Sequence, residues 1–497
     1  MLSRFAAIRE CKRSYIIFWG VFSTFFLAGV FSIQPAARLH FLDLINYDNL
    51  LRQYPDNSAD SSIVIVDIDE KSLNRYGQWP WPRHRIADLL SRIAALSPET
   101  VGIDIIFSEP DRTSANQVIR DLEAAWGLEL SIDRLPDKLA DNDQILSDIL
   151  TRGPFVLCNT FYFNQPVKSS DLCILHPVSV SQVFQEGMGA DDTGLFRSSG
   201  VLCNLPVFSN QVAASGFCNF SPDHSGILRR IPMLIEHENR IHAGLAFATV
   251  LNAQETGRLV LTATGSKLQS IRNKERQIPV DSRGCLLIKF RGPKRQYHYI
   301  SAADIMTGQI PAEKIQGKTV FVGTTAAGLK EYVSTPFDPT FPGIEVHATV
   351  ADNLKTGDFI WIPSWSNGFI VLSVLVLGGV VTLITAFTNI PVGIVSVMVS
   401  VAGLWLMTRQ IFFHTGMFLG TAFPMASTIG IHAILIFIKY RTEHRETEAK
   451  RRKAETAVDF ERQQLLSILN NLNQLVYVAD PFSYEVLFAN QRLKDML

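Results

Sequence analysis

The 50 residues 359–408 contain no Asp, Glu, Lys or Arg. No soluble fold keeps so long a segment away from charge, and one bilayer crossing uses only about 20 residues of it. The run Phe387-Thr388-Asn389-Ile390-Pro391 divides the stretch, since proline and the polar pair before it interrupt a helix. Spans at 369–387 and 391–408 follow. Residues 15–33 are also free of charge, and 410–438 carry only His414 and His432 as ionisable groups. These runs predict further spans at 15–33 and 417–438. The whole chain of 497 residues is 19% charged and 47% hydrophobic, against roughly 25% charged in soluble domains. A membrane protein with a large water-facing part fits both figures.

Basic residues at the span ends set the orientation. Arg4, Arg9, Lys12 and Arg13 precede the first span, and Lys439, Arg441, Arg445 and Lys450-Arg451-Arg452-Lys453 follow the last. Four spans put both ends on one side, which is read as cytoplasmic, with residues 34–365 exported. The first apolar run exceeds the 7–15 residues of a signal peptide, and Ser32-Ile33-Gln34-Pro35 offers no small-x-small cleavage site. It is read as an uncleaved anchor. His432 inside the last span is read as a packing or hydrogen-bonding residue rather than a proton relay or heme ligand.

The exported segment alternates short apolar runs with helical patterns. Residues 63–66 read as a buried strand, a helix follows from about Pro82 with Ile86, Leu89, Leu90 and Ile93 on one face, and 101–107 read as a second strand. That order predicts a βαβ unit with the two strands as a parallel pair. Further strands are expected at 285–290 and 319–322. A helix over 344–355, stopped by Gly357, should bury Ile344, Ala348, Ala351 and Leu354. The predicted class is α/β with a mixed sheet.

Five of six cysteines fall in this segment, and export exposes them to an oxidising compartment. Cys158 and Cys173 flank the polar stretch 164–170 symmetrically, and Cys203 and Cys218 have the same separation. Disulfides within those two pairs, with Cys285 free, are one arrangement among several; buried free thiols are the alternative.

Several chemistries are excluded. The net charge of −1 gives no basic field for nucleic acid. There is no Gly-x-Ser-x-Gly elbow and no Cys-x-x-Cys. His237 and His242 are five apart, so on a helix they diverge by about 140° and cannot share a metal; a hairpin turn at Asn239 is the better reading. Gly317-Lys318-Thr319 lacks the earlier glycine of a phosphate loop and reads as loop entering strand. No catalytic residue, metal ligand set or cofactor is therefore expected. Asp67, Asp69 and Asp104 stand at strand ends, where a ligand site in an α/β sheet is expected, and Trp79 and Trp81 could wall it. The plainer readings are that Asp69 caps a short helix through Ser72 and that the tryptophans form a rigid turn.

Three separated segments carry a family likeness. Residues 63–73 with Gln78-Trp79-Pro80-Trp81-Pro82-Arg83 and 101–107 come first. Gly216-Phe217-Cys218-Asn219-Phe220-Ser221-Pro222-Asp223-His224-Ser225-Gly226-Ile227-Leu228-Arg229-Arg230-Ile231-Pro232 follows. The third is 317–325 with Thr335-Pro336-Phe337 and Pro342-Gly343-Ile344-Glu345-Val346-His347-Ala348. In that order they resemble the second type of CHASE domain over about 40–365. One departure is His224-Ser225 where a second acidic residue is expected. The resemblance implies a bacterial sensor of the inner membrane: an anchor helix, an exported sensor for an unidentified ligand or partner protein, three closing spans and a cytoplasmic output. It implies no catalysis in the exported part.

Residues 439–464, rich in Arg, Lys, Glu and Ala, read as a signalling helix in a parallel homodimer, with a weak coiled-coil seam. Residues 465–497 resemble the opening of a PAS domain, through Leu475-Val476-Tyr477-Val478-Ala479-Asp480 and Val486-Leu487-Phe488-Ala489-Asn490. Two strands cannot build a core alone, so this incomplete α+β segment is read as truncated. The expected organisation is a cytoplasmic N-terminus at 1–14, spans at 15–33, 369–387, 391–408 and 417–438, the sensor at 34–365, the stalk at 439–464 and the PAS start at 465–497. The expected function is the input module of a signal-transduction receptor, feeding a histidine kinase in a two-component system or, next, a diguanylate cyclase. A membrane-tethered exported hydrolase or metal-dependent enzyme is the alternative. A transporter is disfavoured by four nearly charge-free spans.

Overall fold

The structure, a computed structural model, describes the chain except residues 1, 34–39, 55–57, 128–139, 164–172, 186–193, 221, 256–257, 265–266, 327–331, 473, 484 and 497. The chain divides into two compact units. One comprises Arg38–Ser366 with Leu406–Gly420, the other Met1–Ala37, Asn367–Trp405 and Thr421–Leu497.

The first unit is built on a seven-stranded sheet. Its strands are β1 (Ile63–Ile68), β2 (Thr100–Ile103), β3 (Phe155–Tyr162), β4 (Gly200–Leu202), β5 (Ala214–Phe217), β6 (His298–Ser301) and β7 (Thr319–Thr324). The order runs β6-β1-β7-β2-β3, and β3 then pairs with β5 and with β4. Only β4 is antiparallel. The continuous apolar runs of β1 and β2 are those of strands buried on both faces. Val64, Val66 and Ile68 pack with the Arg83–Ala95 helix, while Ile63 and Ile65 join the core of the Leu245–Ala253 and Gly343–Thr356 helices. At Gly216 on β5 an added Cβ would lie 2.6 Å from the Leu245 backbone, so glycine lets that helix seat on the sheet.

Some expectations change here. β1 and β2 are parallel but not a neighbouring pair, because β7, from the far end of the domain, lies between them. A fully buried apolar strand gains most at the centre of a sheet, whatever its place in the chain. Cys285–Leu287 is a strand outside this sheet, antiparallel to Arg230–Pro232. The second predicted strand ends at Ile103; beyond it Asp104 N still bonds to Val322 O, while Phe107 turns to Asn204 and Leu205. The Gly343–Thr356 helix ends at Gly357 in the left-handed conformation, as the sequence predicts. It is buried from Gly343 to Leu354, however, not on one face alone.

Leu406–Gly420 belongs to the first unit through aromatic packing. Phe412 is fully buried, with its ring 5.6 Å from Tyr54, 6.3 Å from Tyr47 and 6.2 Å from Phe418. Trp361 N donates to Gly416 O, and Phe418 N to Trp361 O.

Four helices among the described residues are long and apolar enough to cross a membrane: Arg13–Ile33, Ser366–Phe387, Ile390–Thr415 and Ala422–Asn471. The third runs on to Thr415, beyond the predicted 408, with the Arg409 guanidinium over the Phe413 ring at 4.5 Å. The fourth starts at Ala422, not at 417, because the backbone of 416–418 is engaged with Trp361. In the second unit the first two of these helices interlock through small residues. An added Cβ at Gly20 would strike Thr382, and one at Gly378 would strike Thr24. Thr24 and Thr382 donate to the carbonyls of Gly20 and Gly378 on their own helices. His432 pairs through Nδ1 with Thr385 Oγ1 at 3.2 Å. The last helix runs unbroken for 50 residues, through the predicted stalk and past position 465. Tyr477–Ala479 and Val486–Ala489 then form an antiparallel hairpin. Asn490 ties it to the helix end, donating to Leu469 O and Gln474 O and accepting from Val476 N.

Candidate functional site

Parallel pairing brings the carboxyl ends of β1, β7, β2 and β3 to one edge of the sheet, in the registers Asp67↔Gly323, Val322↔Ile103 and Ile103↔Leu157. Ligand sites of α/β sheets form at such an edge. Asp67 is 2% exposed. It accepts from Thr325 N at 3.1 Å and Thr325 Oγ1 at 2.7 Å. Burial pushes its pKa up to about 6, against the lowering effect of the Thr325 bonds. Asp69 caps the Glu70–Tyr76 helix, accepting from Ser72 N, Ser72 Oγ and Ser301 Oγ. Its carboxylate is thereby used in structure, which is the plainer of the two sequence readings.

Trp81 is 1% exposed, its ring 5.9 Å from that of Tyr76, and its Nε1 donates to Gly77 O. The Trp-Pro-Trp-Pro run folds this second indole into the core. Trp79 is half-buried, its ring 6.1 Å from that of Trp81.

Asp104 immediately follows β2, with its side chain 7% exposed. His347, on the Gly343–Thr356 helix, is fully buried, and its Nε2 lies 4.0 Å from Asp104 Oδ1. Burial pushes Asp104 up and His347 down, each toward its neutral form. Neither His347 ring nitrogen has a hydrogen-bond partner. The Phe220 and Phe321 rings flank it at 5.9 and 6.5 Å.

Beside Asp104 the structure pairs Cys158 with Cys218, and elsewhere Cys173 with Cys203, with Cα separations of 5.9 and 5.8 Å. The four predicted cysteines are thus joined, but not as 158–173 and 203–218. The reason is sheet register. β3 and β5 are parallel neighbours with Cys158 opposite Gly216, and Cys218 N donates to Asn159 O. The 164–170 stretch lies outside the described residues. Cys285 is a buried free thiol, pushed up to about 12 mainly by burial.

Other polar residues were not legible as a site. Glu345 is fully buried and accepts from Arg295 N, Gln296 N and Tyr299 OH. Arg291 holds Asp352 with two bonds, Nη2–Oδ1 at 2.6 Å and Nε–Oδ2 at 3.0 Å, and Tyr297 OH donates to the same carboxylate. The sequence signal for both was charge placed inside an otherwise apolar helix. His237 and His242 lie on the predicted hairpin, which brings their rings to 6.3 Å. A cavity of about 610 Å³ has no residue of the acidic edge in its lining, which includes Arg230, Asp281, Cys285, Trp361, Ile362 and Thr415. Its size suits a small molecule.

No curated protein and no solved structure matches the chain. A family model described as the CHASE2 domain matches residues 22–381, which is more than half of the sequence and includes the sheet, its acidic edge and the cysteine pairs. The chain belongs to the CHASE2 domain family, sensory extracellular domains typical of signalling receptors.

Proposed function

We propose that this chain is the input module of a bacterial inner-membrane receptor with both termini cytoplasmic. Residues 34–365 sense an extracytoplasmic stimulus, a small ligand or a partner protein. The spans and the 439–464 helix relay it, within a homodimer, to a PAS domain beginning near 465. A catalytic effector outside residues 1–497 then responds, a histidine kinase first and a diguanylate cyclase second. The observation that carries this reading is the CHASE2 match, bounded by apolar helices of spanning length and followed by a 50-residue helix. A ligand at the acidic edge would bias two packings of the spans through its differential affinity for them.

The test is a chimera of residues 1–465 joined in helical register to a histidine kinase core, reconstituted in bilayers. Autophosphorylation should change severalfold when residues 41–360 are replaced by a short flexible linker. It should also differ between the intact chimera and one carrying Asp104→Asn. Equal rates in all three would sink the input role.

A further inference from the structure

The Cys158–Cys218 bond lies beside two other groups that have ligand chemistry and little else to do, Asp104 and His347. The sulfurs of Cys158 and Cys218 and a carboxylate oxygen of Asp104 all lie within 4.8 Å of one another. His347 is fully buried, its Nε2 4.0 Å from Asp104 Oδ1, with both ring nitrogens unpartnered. A buried imidazole without a hydrogen-bond partner has given up its bonds to water and gained none in return. Such a group calls for an explanation in its surroundings. The four side chains come from four elements: the end of β2, the middle of β3, the residue after β5 and the Gly343–Thr356 helix. No sequence spacing can announce such a set.

We propose that in its dithiol form this site holds one thiophilic divalent cation of the zinc type, with Cys158, Cys218, Asp104 and His347 as the four ligands, so that the disulfide is the gate of a cation site. Tetrahedral zinc bonds of about 2.0–2.3 Å put ligand atoms roughly 3.3–3.8 Å apart. The two sulfurs and the Asp104 oxygen, within 4.8 Å of one another, close to that range by side-chain rotation, and His347, 4.0 Å from Asp104 and outside that group, swings toward the sulfurs to complete it. The donor set of two sulfurs, one imidazole and one carboxylate favours zinc over calcium or magnesium, which take oxygen ligands.

The gating step balances as thiol–disulfide exchange with a dithiol reductant. The dithiol gives two electrons and two protons, the Sγ–Sγ bond breaks, and the reductant leaves as its own disulfide. Cation binding then releases one proton from each cysteine thiol. Cys218, half-buried where Cys158 is fully buried, is the sulfur the reductant reaches. The reverse exchange, in which a disulfide of the same class takes the two electrons and leaves as its dithiol, re-forms the Sγ–Sγ bond and expels the cation, because a disulfide sulfur carries no thiolate charge.

The experiment uses the full chain in detergent micelles, reduced with a phosphine under anaerobic conditions, freed of reductant and titrated with Co²⁺ as a visible stand-in for zinc. The reduced chain should take up one equivalent, with thiolate-to-cobalt charge transfer and the intense visible bands of a tetrahedral site. The oxidised chain should show neither. Cys218→Ser should abolish the one-equivalent uptake with two-thiolate charge transfer. Asp104→Asn, nearly isosteric, should keep that charge transfer while weakening affinity about 10- to 100-fold, the range for perturbed metal sites. Cys285→Ser and the Cys173→Ser/Cys203→Ser pair should leave the spectrum unchanged. Circular dichroism verifies that each variant is folded, and should Cys218→Ser not fold, Asp104→Asn and the two cysteine controls carry the assignment. The proposal is overturned if the folded, reduced chain takes up no Co²⁺, or if the bands persist in Cys218→Ser. It is also overturned if alkylation mapping shows that the Cys158–Cys218 bond resists reduction without unfolding.

Discussion

An ionisable side chain buried without a counter-charge makes fold stability depend on pH, and Asp67 is the clearest case in this chain. Inside the fold its pKa lies near 6, against 3.8 ordinarily, chiefly through burial; Thr325, Asp69 and Arg295 act on it as well. Between those values the folded state holds one proton more than the unfolded state. Its contribution is therefore fully present below about pH 4 and is lost as pH rises through 6. The difference is on the order of 2–3 kcal/mol. Urea midpoints for wild type and Asp67→Asn should accordingly diverge across that window, with the variant the flatter of the two; parallel profiles would show that Asp67 is not buried as described. At this scale the sequence spoke unevenly. Asp69 before Ser72 is a cap that local spacing reveals, and the structure has that bond. The burial of Trp81 depends on a core assembled from distant segments, so no local pattern could have separated a buried indole from a binding wall.

Elements follow the same division. The Gly343–Thr356 helix was legible from its 3.6-residue period and its glycine stop. The period assumes one wet face, yet here sheet, helix and loops enclose the helix on every side, and its carboxylates Glu345 and Asp352 are held there by hydrogen bonds and an ion pair. Arg291 and Asp352 are both essentially inaccessible, at 3% and 0% side-chain exposure. Breaking such a pair leaves a buried charge uncompensated, at a cost of about 3–5 kcal/mol. Arg291→Ala should lower the unfolding free energy by that amount in a denaturant titration. Arg291→Met with Asp352→Leu should recover much of the loss; a double variant no better than Arg291→Ala would mean the destabilisation comes from packing rather than charge. Strand order escaped the sequence for a related reason. Apolar runs reveal that β1, β2 and β7 are interior strands, but only the finished sheet reveals that β7 stands between the other two.

For the whole molecule, the most legible features were the charge-free runs, because a bilayer's thickness translates directly into helix length. Helix ends were less so: the fourth apolar helix begins at Ala422, and the third continues to Thr415. The proposed topology predicts that alkaline phosphatase fused after position 200 is active and after position 445 inactive, with the reverse for a cytoplasmic reporter; the opposite pattern would invert the receptor. The aromatic packing of Phe412 and Phe418 against Tyr47 and Tyr54 bears on how such a sensor can be handled and inherited. Its fold is discontinuous, so excising residues 38–366 as one soluble piece strips Tyr47 and Tyr54 of their covering rings. Recombination that swapped only the exported stretch between two receptors would part the same rings, so the sensor and the segment 406–420 have to travel together.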